Sequence, residues 1–441
     1  MALRTYIEQS EACIEIGARV ILFTRRSVLW LGLCAVSLCV SPVLAAERVM
    51  VRQQTHVVSA CFDFLPADQR EDPTLACELS ALVHHEGRLW FFNDKSHALL
   101  PVSLTASLLP KASHQSKAAS DGVGKARDTE TYLTALRAGP NSPLDHASKF
   151  EAAAQSVDDP IDFAITAFDR FDSLNPRFDR FNALFFWPRG QIERARLVAR
   201  SERNGQLSSI KLRALLESQV KSSYFKIEGL AALPGRRLLV GIRETGSSFR
   251  EPVFRFLVIE LRYVLDSEHG LRLLDDVRLV ADWQPSDLLT RDDSQAPPAV
   301  SQASPAVSQA SPEVSQTSPE VSQASREDRQ ALLPGLGLSS IEYCQEHDRL
   351  FFLLSAESGS RMDGFLLSQK REQFDIGEKP SPLRDEQGLL VHFSHKPEGM
   401  AVIGTDCRLL ISHDDDRFIG GTPSRDNLRE MIYSVIDLRL N

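Results

Sequence analysis

Residues Lys396 to Asp416 read KPEGMAVIGTDCRLLISHDDD, two short apolar runs separated by a turn-forming segment. A similar frame occurs in KIEGLAALPGRRLLVGIRE, from Lys226, and in CELSALVHHEGRLWFFND, from Cys77. In each copy a first acid is followed 16 residues later by a second, giving the pairs Glu78 and Asp94, Glu228 and Glu244, and Glu398 and Asp414. A strand, a tight turn and a second strand fit this spacing, so each pair is predicted to meet at one end of a hairpin.

Similar short apolar runs, bounded by Gly, Pro, Asn and Asp, recur along the chain, whereas long amphipathic helical runs are nearly absent. Examples are RLWFFND, ALFFWP, RLLVGI and RLFFLLS. Many short strands with a recurrent signature are typical of a β-propeller. The predicted fold class is therefore all-β, a β-propeller with irregular insertions. The strand-like ends VMVRQQTHVVSACFDF and MIYSVIDLRL are expected to pair in one blade and close the ring.

Two segments are predicted to interrupt the propeller. Residues 110–159 form a polar insertion rich in Ala, Ser and Lys, and residues 292–328 contain four units of the type PAVSQAS. Each unit contains Pro and only one large apolar residue, which excludes a coiled coil and favours a disordered linker. Subtracting these segments and the leader leaves about 310 residues, which at roughly 40–50 residues per repeat predicts six or seven blades.

The N-terminal residues 1–46 are predicted to be a signal peptide. Arg25 and Arg26 precede the apolar run SVLWLGLCAVSLCVSPVLAA, which ends in small residues. A membrane anchor over residues 28–44 is the alternative, and both ordinary and twin-arginine export fit the pattern. We therefore expect an exported protein, periplasmic or secreted, whose mature part (residues 47–441) forms one monomeric domain that does not span the membrane.

Charge and cysteine content add two expectations. The formal net charge is −9 and basic residues form no cluster, so nucleic acid is not an expected partner. Four cysteines follow the leader, and in an oxidising compartment they permit three disulfide pairings. Proximity along the chain favours Cys61–Cys77 and Cys344–Cys407.

The repeated acids suggest a hard-cation site, since calcium prefers several carboxylate and carbonyl oxygens. The candidate metal ligands are Glu78, Glu228, Glu398, Asp414 and Asp415. Nearby basic groups are candidates for holding phosphate or another anionic ligand: Lys226, Arg243, Lys396 and His413. Acids at strand ends also cap turns and bind backbone N–H groups, so a structural role is the alternative. Gly229 and Gly399, next to two of the acids, indicate either positive φ or a close backbone approach.

These residues also carry a resemblance to known families. EGMAV followed by CRLLISHDDD resembles the Glu-Gly-Met-Ala segment of calcium-dependent β-propeller phytases, and IEGLAALPGRRLLVGIRE resembles bacterial exported phytase-like propellers of the "esterase-like activity of phytase" type. The resemblance implies acidic metal positions at Glu398, Asp414 and Asp415, with Glu228 as a repeated equivalent. His413 and Arg243 depart from the phytase pattern.

Two functions follow from this sequence. The first is a metal-assisted phosphoesterase, an enzyme in which calcium activates water and basic side chains hold the phosphate. The second is a non-catalytic propeller that binds a small anionic molecule or a protein partner in the cell envelope. A further segment, FDRFDSLNPRFDRFN from Phe168, repeats Phe-Asp-Arg-Phe. It either forms an aromatic–arginine recognition surface or packs as strands between blades.

Overall fold

Small, mostly antiparallel sheets account for most of the residues described by the computed structural model. The structure describes residues 49–60, 79–85, 88–93, 98–103, 136–137, 144, 147–266, 270–289, 335–358, 361–414 and 430–439. These residues belong to one unit, Val49–Asn441. The leader, the repeat linker, Cys61, Cys77, Glu78 and Asp415 lie outside the described residues.

The described strands form five sheets of four or five strands, here called blades 1 to 5. Strand β1 (Met50–Ala60) belongs to blade 5. Blade 1 contains β2 (Leu79–His85), β3 (Arg88–Asn93), β4 (Ala98–Ser103) and β5 (Leu136–Arg137), and blade 2 contains β6 (Phe150–Gln155), β7 (Ile161–Thr166), β8 (Leu184–Pro188) and β9 (Arg196–Leu197). A hairpin, β10 (Ser201–Arg203) and β11 (Gln206–Ser208), and helix α1 (Ile210–Val220) follow.

Blade 3 contains β12 (Tyr224–Leu233), β13 (Arg237–Gly246), β14 (Pro252–Asp266), β15 (Gly270–Leu273) and β16 (Arg278–Trp283), and helix α2 (Pro285–Leu289) follows it. Blade 4 contains β17 (Leu336–Cys344), β18 (Arg349–Ser358), β19 (Arg361–Lys370), β20 (Ser381–Pro382) and β22 (His392–Phe393), with helix α3 (Arg371–Asp375) after β19. Blade 5 contains β23 (Pro397–Ile403), β24 (Arg408–His413), β25 (Glu430–Arg439), β1 and β21 (Arg384–Asp385).

The five blades close into a ring. The first strands of blades 1 to 5 are β2, β6, β12, β17 and β23, and each contacts the first strands of the two neighbouring blades, with β23 returning to β2. The all-β propeller prediction is therefore confirmed, but the predicted number of six or seven blades is wrong for this ring. The assumed repeat length was too short, because the connection between blades 2 and 3 alone holds a hairpin and an 11-residue helix.

The two ends of the propeller pair as the sequence predicts. Strand β1 runs antiparallel to β25, with Met50 opposite Arg439 and Ala60 opposite Glu430. The short strand β21 pairs in parallel with the start of β1. This pairing places the N-terminal strand beside the C-terminal one and covers an edge that would otherwise be open to other strands.

The polar segment predicted to extend to residue 159 ends earlier in the structure, because Phe150–Gln155 form the innermost strand of blade 2. Its sequence, FEAAAQ, is rich in alanine, which is depleted in strands, so the pattern concealed the strand. Ala152 and Ala154 pack against blade 3, whereas Ala153 packs against blade 1. Small side chains suit a strand that is buried on both faces.

The hydrophobic core lies between the blades rather than at one centre. Separate clusters join blades 1 and 2, blades 2 and 3, blades 3 and 4, and blades 4 and 5. Leu212 and Leu216 of helix α1 pack into the cluster between blades 2 and 3. No helix among the described residues is long and apolar enough to cross a membrane.

A disulfide joins Cys344 at the end of β17 to Cys407 in the turn before β24, with a Cα–Cα distance of 5.8 Å. This bond confirms one of the two predicted pairs and links blades 4 and 5. The other predicted pair, Cys61–Cys77, lies outside the described residues.

Candidate functional site at the ring axis

The first strand of every blade contains an irregularity in its pairing with the second strand. In every blade the register shift passes over one residue of the first strand, and these five residues are Ser80, Glu151, Glu228, Ser339 and Glu398. All five are buried. Blade 3 has a second shift, which passes over Arg243 on β13. A bulge leaves one residue unpaired and re-aims its side chain. The same bulge therefore occurs in the first strand of all five blades, each time at a polar residue.

Electrostatic interactions show that these side chains face a common centre. Lys226 of blade 3 interacts with Glu398 of blade 5, and Glu228 of blade 3 interacts with Lys396 of blade 5. Blades 3 and 5 are not neighbours in the ring, so these interactions cross its axis. We call the following group the axial cluster: Ser80, Lys149, Glu151, Lys226, Glu228, Arg243, Ser339, Lys396 and Glu398.

The cations of the axial cluster also follow the repeat. Lys149, Lys226 and Lys396 each lie two residues before a bulged glutamate. In blade 4 the same position is Gly337, and a Cβ built there would lie 2.7 Å from Cγ of Arg243. Arg243 comes from the second strand of blade 3 and occupies the space that Gly337 leaves open. A cation therefore faces the axis at four of the five blades, and at blade 4 this cation is Arg243.

Ion pairs neutralise Glu228 from two sides. Nη1 of Arg243 lies 2.8 Å from Oε2 of Glu228, and the ammonium group of Lys226 contacts Oε1. Only 2% of the Glu228 side chain and 1% of the Arg243 side chain are exposed. Arg243 also donates a hydrogen bond to the hydroxyl of Ser355 in blade 4. The Glu228 carboxylate is thus fully engaged by buried cations of its own chain.

The other two glutamates are paired in the same way. Nζ of Lys226 lies 3.5 Å from Oε1 of Glu151, and Nζ of Lys149 lies 3.3 Å from the same oxygen. Lys149 also donates a 2.8 Å hydrogen bond to Asp169. In blade 5, Lys396 forms an ion pair with Glu398. These contacts join neighbouring blades 2 and 3 through charge rather than through apolar packing.

The two serines tie blades together through the backbone. The hydroxyl of Ser80 donates to the carbonyl of Phe150, and the hydroxyl of Ser339 donates to the carbonyl of Pro397. Each acceptor is the residue before the bulged glutamate of the next blade. Serine therefore takes a blade-linking role at the positions where the other blades place a carboxylate.

The pKa values of the cluster move in different directions. Burial raises the pKa of Glu228, but Arg243, Lys226 and Lys396 together bring the pKa below its usual value. Burial also raises the pKa of Glu398, and the neighbouring Glu228 charge adds to this, so the pKa is raised despite Lys396 and Lys226. Burial lowers the pKa of Lys226, but four carboxylates outweigh it and bring that pKa well above its usual range.

Two glycines explain how the bulged strands fit. A Cβ at Gly229 would lie 2.8 Å from Cγ1 of Ile341 in blade 4, and a Cβ at Gly399 would lie 2.6 Å from Cδ2 of Leu82 in blade 1. Neither glycine is among the described residues with positive φ. Of the two predicted reasons, close approach is therefore the one that applies.

The structure brings together most of the predicted site residues that it describes. Lys226, Glu228, Arg243, Lys396 and Glu398 all lie in the axial cluster. The buried Asp414 lies nearby, and its backbone N–H donates a 2.9 Å hydrogen bond to the carbonyl of Lys396. His413 contacts another residue of blade 5: its Nε2 lies 2.8 Å from Oγ of Ser434.

The sequence alignment misplaced one member of the axial cluster and missed Lys149 and Glu151. Ser80, rather than Glu78, is the bulged residue of blade 1, so Glu78 stands two positions earlier, where the other copies have lysine. Blade 2 supplies Glu151, which the sequence had assigned to an insertion. The signal that finds it is the tripeptide Lys-x-Glu, present as KFE, KIE and KPE from Lys149, Lys226 and Lys396.

The arrangement does not fit the predicted calcium site. Calcium needs several oxygen ligands converging on one point, whereas the axial glutamates already hold ammonium or guanidinium groups. Within the described part of the chain, only Cys344, Glu346 and Cys407 form a group of three ligand types with atoms within 4.8 Å of one another. Two of these are joined as a disulfide, which leaves no thiolate for a metal.

The repeated Phe-Asp-Arg-Phe segment lies at the same end of the ring as the axial cluster. It begins after β7, where the N–H of Ala167 donates to Lys149 and its carbonyl accepts from Ile227. The segment contains a 3₁₀ helix, Pro176–Phe181, and no strand, so the prediction that it packs as strands is wrong. The recognition-surface alternative is consistent with its exposure: 41% for Phe171 and 91% for Leu174.

Arg213 of helix α1 fixes this segment to the neighbouring blade. It donates hydrogen bonds of 2.9 Å to Oδ1 of Asn182 and 2.8 Å to the carbonyl of Ser223, just before β12. Its guanidinium carbon also lies 5.1 Å from the ring centre of Phe171. Burial lowers the pKa of Arg213 to about 10, against the charges of Glu217 and Asp169.

Comparisons with known proteins add similarity of fold only. The sequence matches no family model, and no curated protein matches it. Structures of U3-55K and of the RRP9 WD40 repeats each share 11% identity with this chain and cover 82% of it and 95% of their own length, with TM-scores of 0.33. A GH43_12 protein from a capybara gut metagenome shares 6% identity over 88% of this chain and 57% of its own, with a TM-score of 0.32. None of these similarities supports the phytase-like type of propeller, and the fold assignment stands on the closed ring of five blades.

Proposed function

We propose that the chain is a non-catalytic binding propeller of the cell envelope, and that it recognises a partner at the end of the ring where the axial cluster lies. The observation that carries this proposal is the neutralised state of the axial carboxylates together with the exposed aromatic groups beside them. The cluster holds the blades together, and the loops around it are available for contact.

The axial cluster is poorly suited to the predicted phosphoesterase. A catalytic metal needs unengaged ligands, and a phosphate clamp needs cations that face the substrate. Here Lys226 and Arg243 face Glu228, and Lys396 faces Glu398. A calcium ion that took these carboxylates would leave buried cations without a partner, which typically costs several kcal/mol.

The surrounding loops have the features of an interaction surface. Phe171 and Leu174 lie in the loop after the second strand of blade 2, and Phe249 lies in the corresponding loop of blade 3, where 64% of it is exposed. Adjacent exposed aromatic groups mark binding surfaces more often than isolated ones do. The hydroxyl of Ser222, which precedes β12, donates a 2.8 Å hydrogen bond to the carbonyl of Gly246. This bond ties the beginning of the loop that contains Phe249 to the start of β12.

A pair of assays tests this proposal. Purified protein is incubated with a panel of phosphomonoesters and phosphodiesters, with calcium and with chelator, beside the Glu228→Gln variant. We expect hydrolysis no greater than that of the variant in either condition. In parallel, proteins of the cell envelope are cross-linked to the wild type, to Phe171→Ala/Phe249→Ala, and to Leu279→Ala as an exposed control at the other end of the blade.

The expected cross-linking result is a specific protein that is captured by the wild type and by Leu279→Ala but lost with Phe171→Ala/Phe249→Ala, and that binds directly after purification. Calcium-dependent hydrolysis abolished by Glu228→Gln would overturn the proposal and restore the phosphoesterase. Equal capture by all three proteins would place the binding surface elsewhere and would also contradict it.

A further inference from the structure

The two Phe-Asp-Arg-Phe copies of the segment arrange their side chains by a common rule. In both copies the aspartate turns inward and meets a cation from another segment: Asp169 accepts from Lys149 at 2.8 Å, and Asp179 accepts from Nε of Arg203 at 2.6 Å. The arginine of each copy, Arg170 or Arg180, is exposed. The repeat therefore hides its negative charges and displays its positive ones.

The two displayed arginines meet at one aromatic ring. The guanidinium carbon of Arg170 lies 4.6 Å from the ring centre of Phe181, and that of Arg180 lies 5.0 Å from it. Cation–π contact holds a guanidinium plane in place while leaving its N–H donors available. Two guanidinium groups positioned on one ring form a ready receptor for carboxylate oxygens.

Further basic and apolar groups extend this receptor. Arg177 is exposed in the same segment, and Arg250 is exposed beside Phe249 in the next blade, 5.4 Å from its ring centre. Phe171 and Leu174, in the same segment as Arg177, are exposed as well. We call Arg170, Phe171, Leu174, Arg177, Arg180, Phe249 and Arg250 the Arg–Phe patch.

The acids near the patch offset its four arginines only in part. Asp169 is engaged by Lys149, and its Oδ2 also lies 3.9 Å from Nε of Arg170. Asp179 is engaged by Arg203, and Asp172 accepts a 2.8 Å hydrogen bond from the backbone of Leu174. Glu251 accepts from Ser247 within its own loop. The whole chain carries a net charge of −9, so this patch is opposite in sign to the rest of the protein.

We propose that the Arg–Phe patch binds an acidic, extended protein segment that carries aromatic or aliphatic side chains. This inference rests on the proposed binding function and names the chemistry of its partner. Carboxylates of the segment meet the guanidinium groups of Arg170 and Arg180, and its apolar side chains cover Phe171, Leu174 and Phe249. The hydrogen bonds are charge-assisted, and complementary charge favours fast association.

The test measures binding of a fluorescein-labelled peptide of about twelve residues, mostly Asp and Glu, with one Phe and one Leu at its centre. Three further probes are the same peptide with Lys in place of the acids, a single-stranded RNA of similar length, and vesicles of phosphatidylglycerol. Each is titrated against the purified protein at low and at physiological salt by fluorescence anisotropy or by sedimentation.

Two double variants separate the patch from general charge. In Arg170→Gln/Arg180→Gln we expect the dissociation constant for the acidic peptide to rise about tenfold or more, since charge-assisted hydrogen bonds are lost. The matched control is Arg194→Gln/Arg272→Gln, which removes two exposed arginines outside the patch and should change the constant less than about twofold. Leu174 is 91% exposed, so Leu174→Ala is expected to leave the fold intact. This variant should bind the Phe- and Leu-containing peptide no more tightly than an all-acid peptide.

Absence of peptide binding at concentrations up to about 1 mM, the limit of weak specific affinity, would overturn the inference. An equal loss of affinity for the acidic peptide in both double variants would also overturn the inference. Tighter binding of RNA or of vesicles, lost in the same patch variant, would assign the patch to a different class of partner and overturn it too. If the peptide fails but the cross-linked partner still depends on Phe171 and Phe249, the proposed binding function survives without this partner chemistry.

Discussion

Arg243 lies against Gly337 of the neighbouring blade, with its Cγ 2.7 Å from the place where a Cβ on that glycine would be. This contact lets a side chain from blade 3 supply a cation to the axis at blade 4, whose own strand has glycine where blades 2, 3 and 5 have lysine. It also makes Gly337 a direct probe of the axial cluster, although the residue carries no charge.

Gly337→Ala is therefore expected to destabilise the fold through Arg243. The added methyl group displaces the guanidinium and separates it from Glu228, and breaking a buried ion pair costs about 3–5 kcal/mol. Urea unfolding monitored by tryptophan fluorescence measures the loss. Gly205→Ala is a control for a glycine with nothing within 4 Å of its Cβ position, although its positive φ contributes a small strain of its own. A loss no larger than that of the control would contradict the assigned role of Gly337.

Glu228 and Glu398 are predicted to respond unequally to the same substitution. Glu228→Gln removes the charge that two buried cations share and should cost about 3 kcal/mol or more. Glu398→Gln should cost less, because it also removes a charge whose burial, together with the neighbouring Glu228 charge, raises the pKa of Glu398. Chemical unfolding of both variants at neutral pH gives the comparison, and a larger loss for Glu398→Gln would be inconsistent with the pairing described here.

The opposite pKa shifts of these two acids predict opposite pH effects. Glu398 has a raised pKa in the folded state, so its ionisation opposes folding, and this penalty disappears as the pH falls from neutral towards 4.5. Glu228 has a lowered pKa, so its stabilising effect is present above 4.5 and is lost as the pH falls below that value.

Urea midpoints measured between neutral and mildly acidic pH test this sign. Relative to Glu398→Gln, the wild type should gain stability as the pH falls towards 4.5, the usual pKa of a glutamate. Relative to Glu228→Gln, its advantage should shrink only at lower pH. A constant difference between the wild type and Glu398→Gln over this range would show that Glu398 is not shifted.

The disulfide between Cys344 and Cys407 should contribute substantially to stability. It closes a loop with a sequence separation of 63, for which chain entropy predicts about 4 kcal/mol. Replacing both cysteines by alanine should lower the unfolding midpoint, and a reductant should lower that of the wild type by a similar amount without affecting the variant. Recovery of both cysteines as free thiols in the unreduced protein would refute the bond.

Much of the architecture was predictable because it depends on local patterns. Short apolar runs with turn residues predicted an all-β propeller, and the strand-like ends predicted the pairing of β1 with β25. Spacing along the chain favoured Cys344–Cys407. The number of blades was not predictable in this way, because it depends on how much chain lies between blades, and FEAAAQ does not have the composition of a typical strand.

The sequence identified several residues of the candidate site but could not predict what those residues contact. Repetition identified Glu228 and Glu398, and their convergence follows from ring closure. What each carboxylate contacts is decided by three-dimensional packing: Arg243 reaches Glu228 only because Gly337, nearly a hundred residues later, has no side chain. The sequence presents acids beside bases, and it cannot distinguish a clamp for phosphate from a set of internal ion pairs.

We infer that the axial carboxylates are satisfied by the chain's own cations and do not form a calcium site. Thermal unfolding of the wild type in millimolar calcium and in chelator, beside Glu228→Gln and Glu398→Gln, tests it most directly, because any ion that binds the folded state must raise the melting temperature. We expect the same melting temperature for the wild type in both conditions, and a lower one, equally insensitive to calcium, for Glu228→Gln. A calcium-dependent rise in the wild type that both substitutions abolish would overturn the inference.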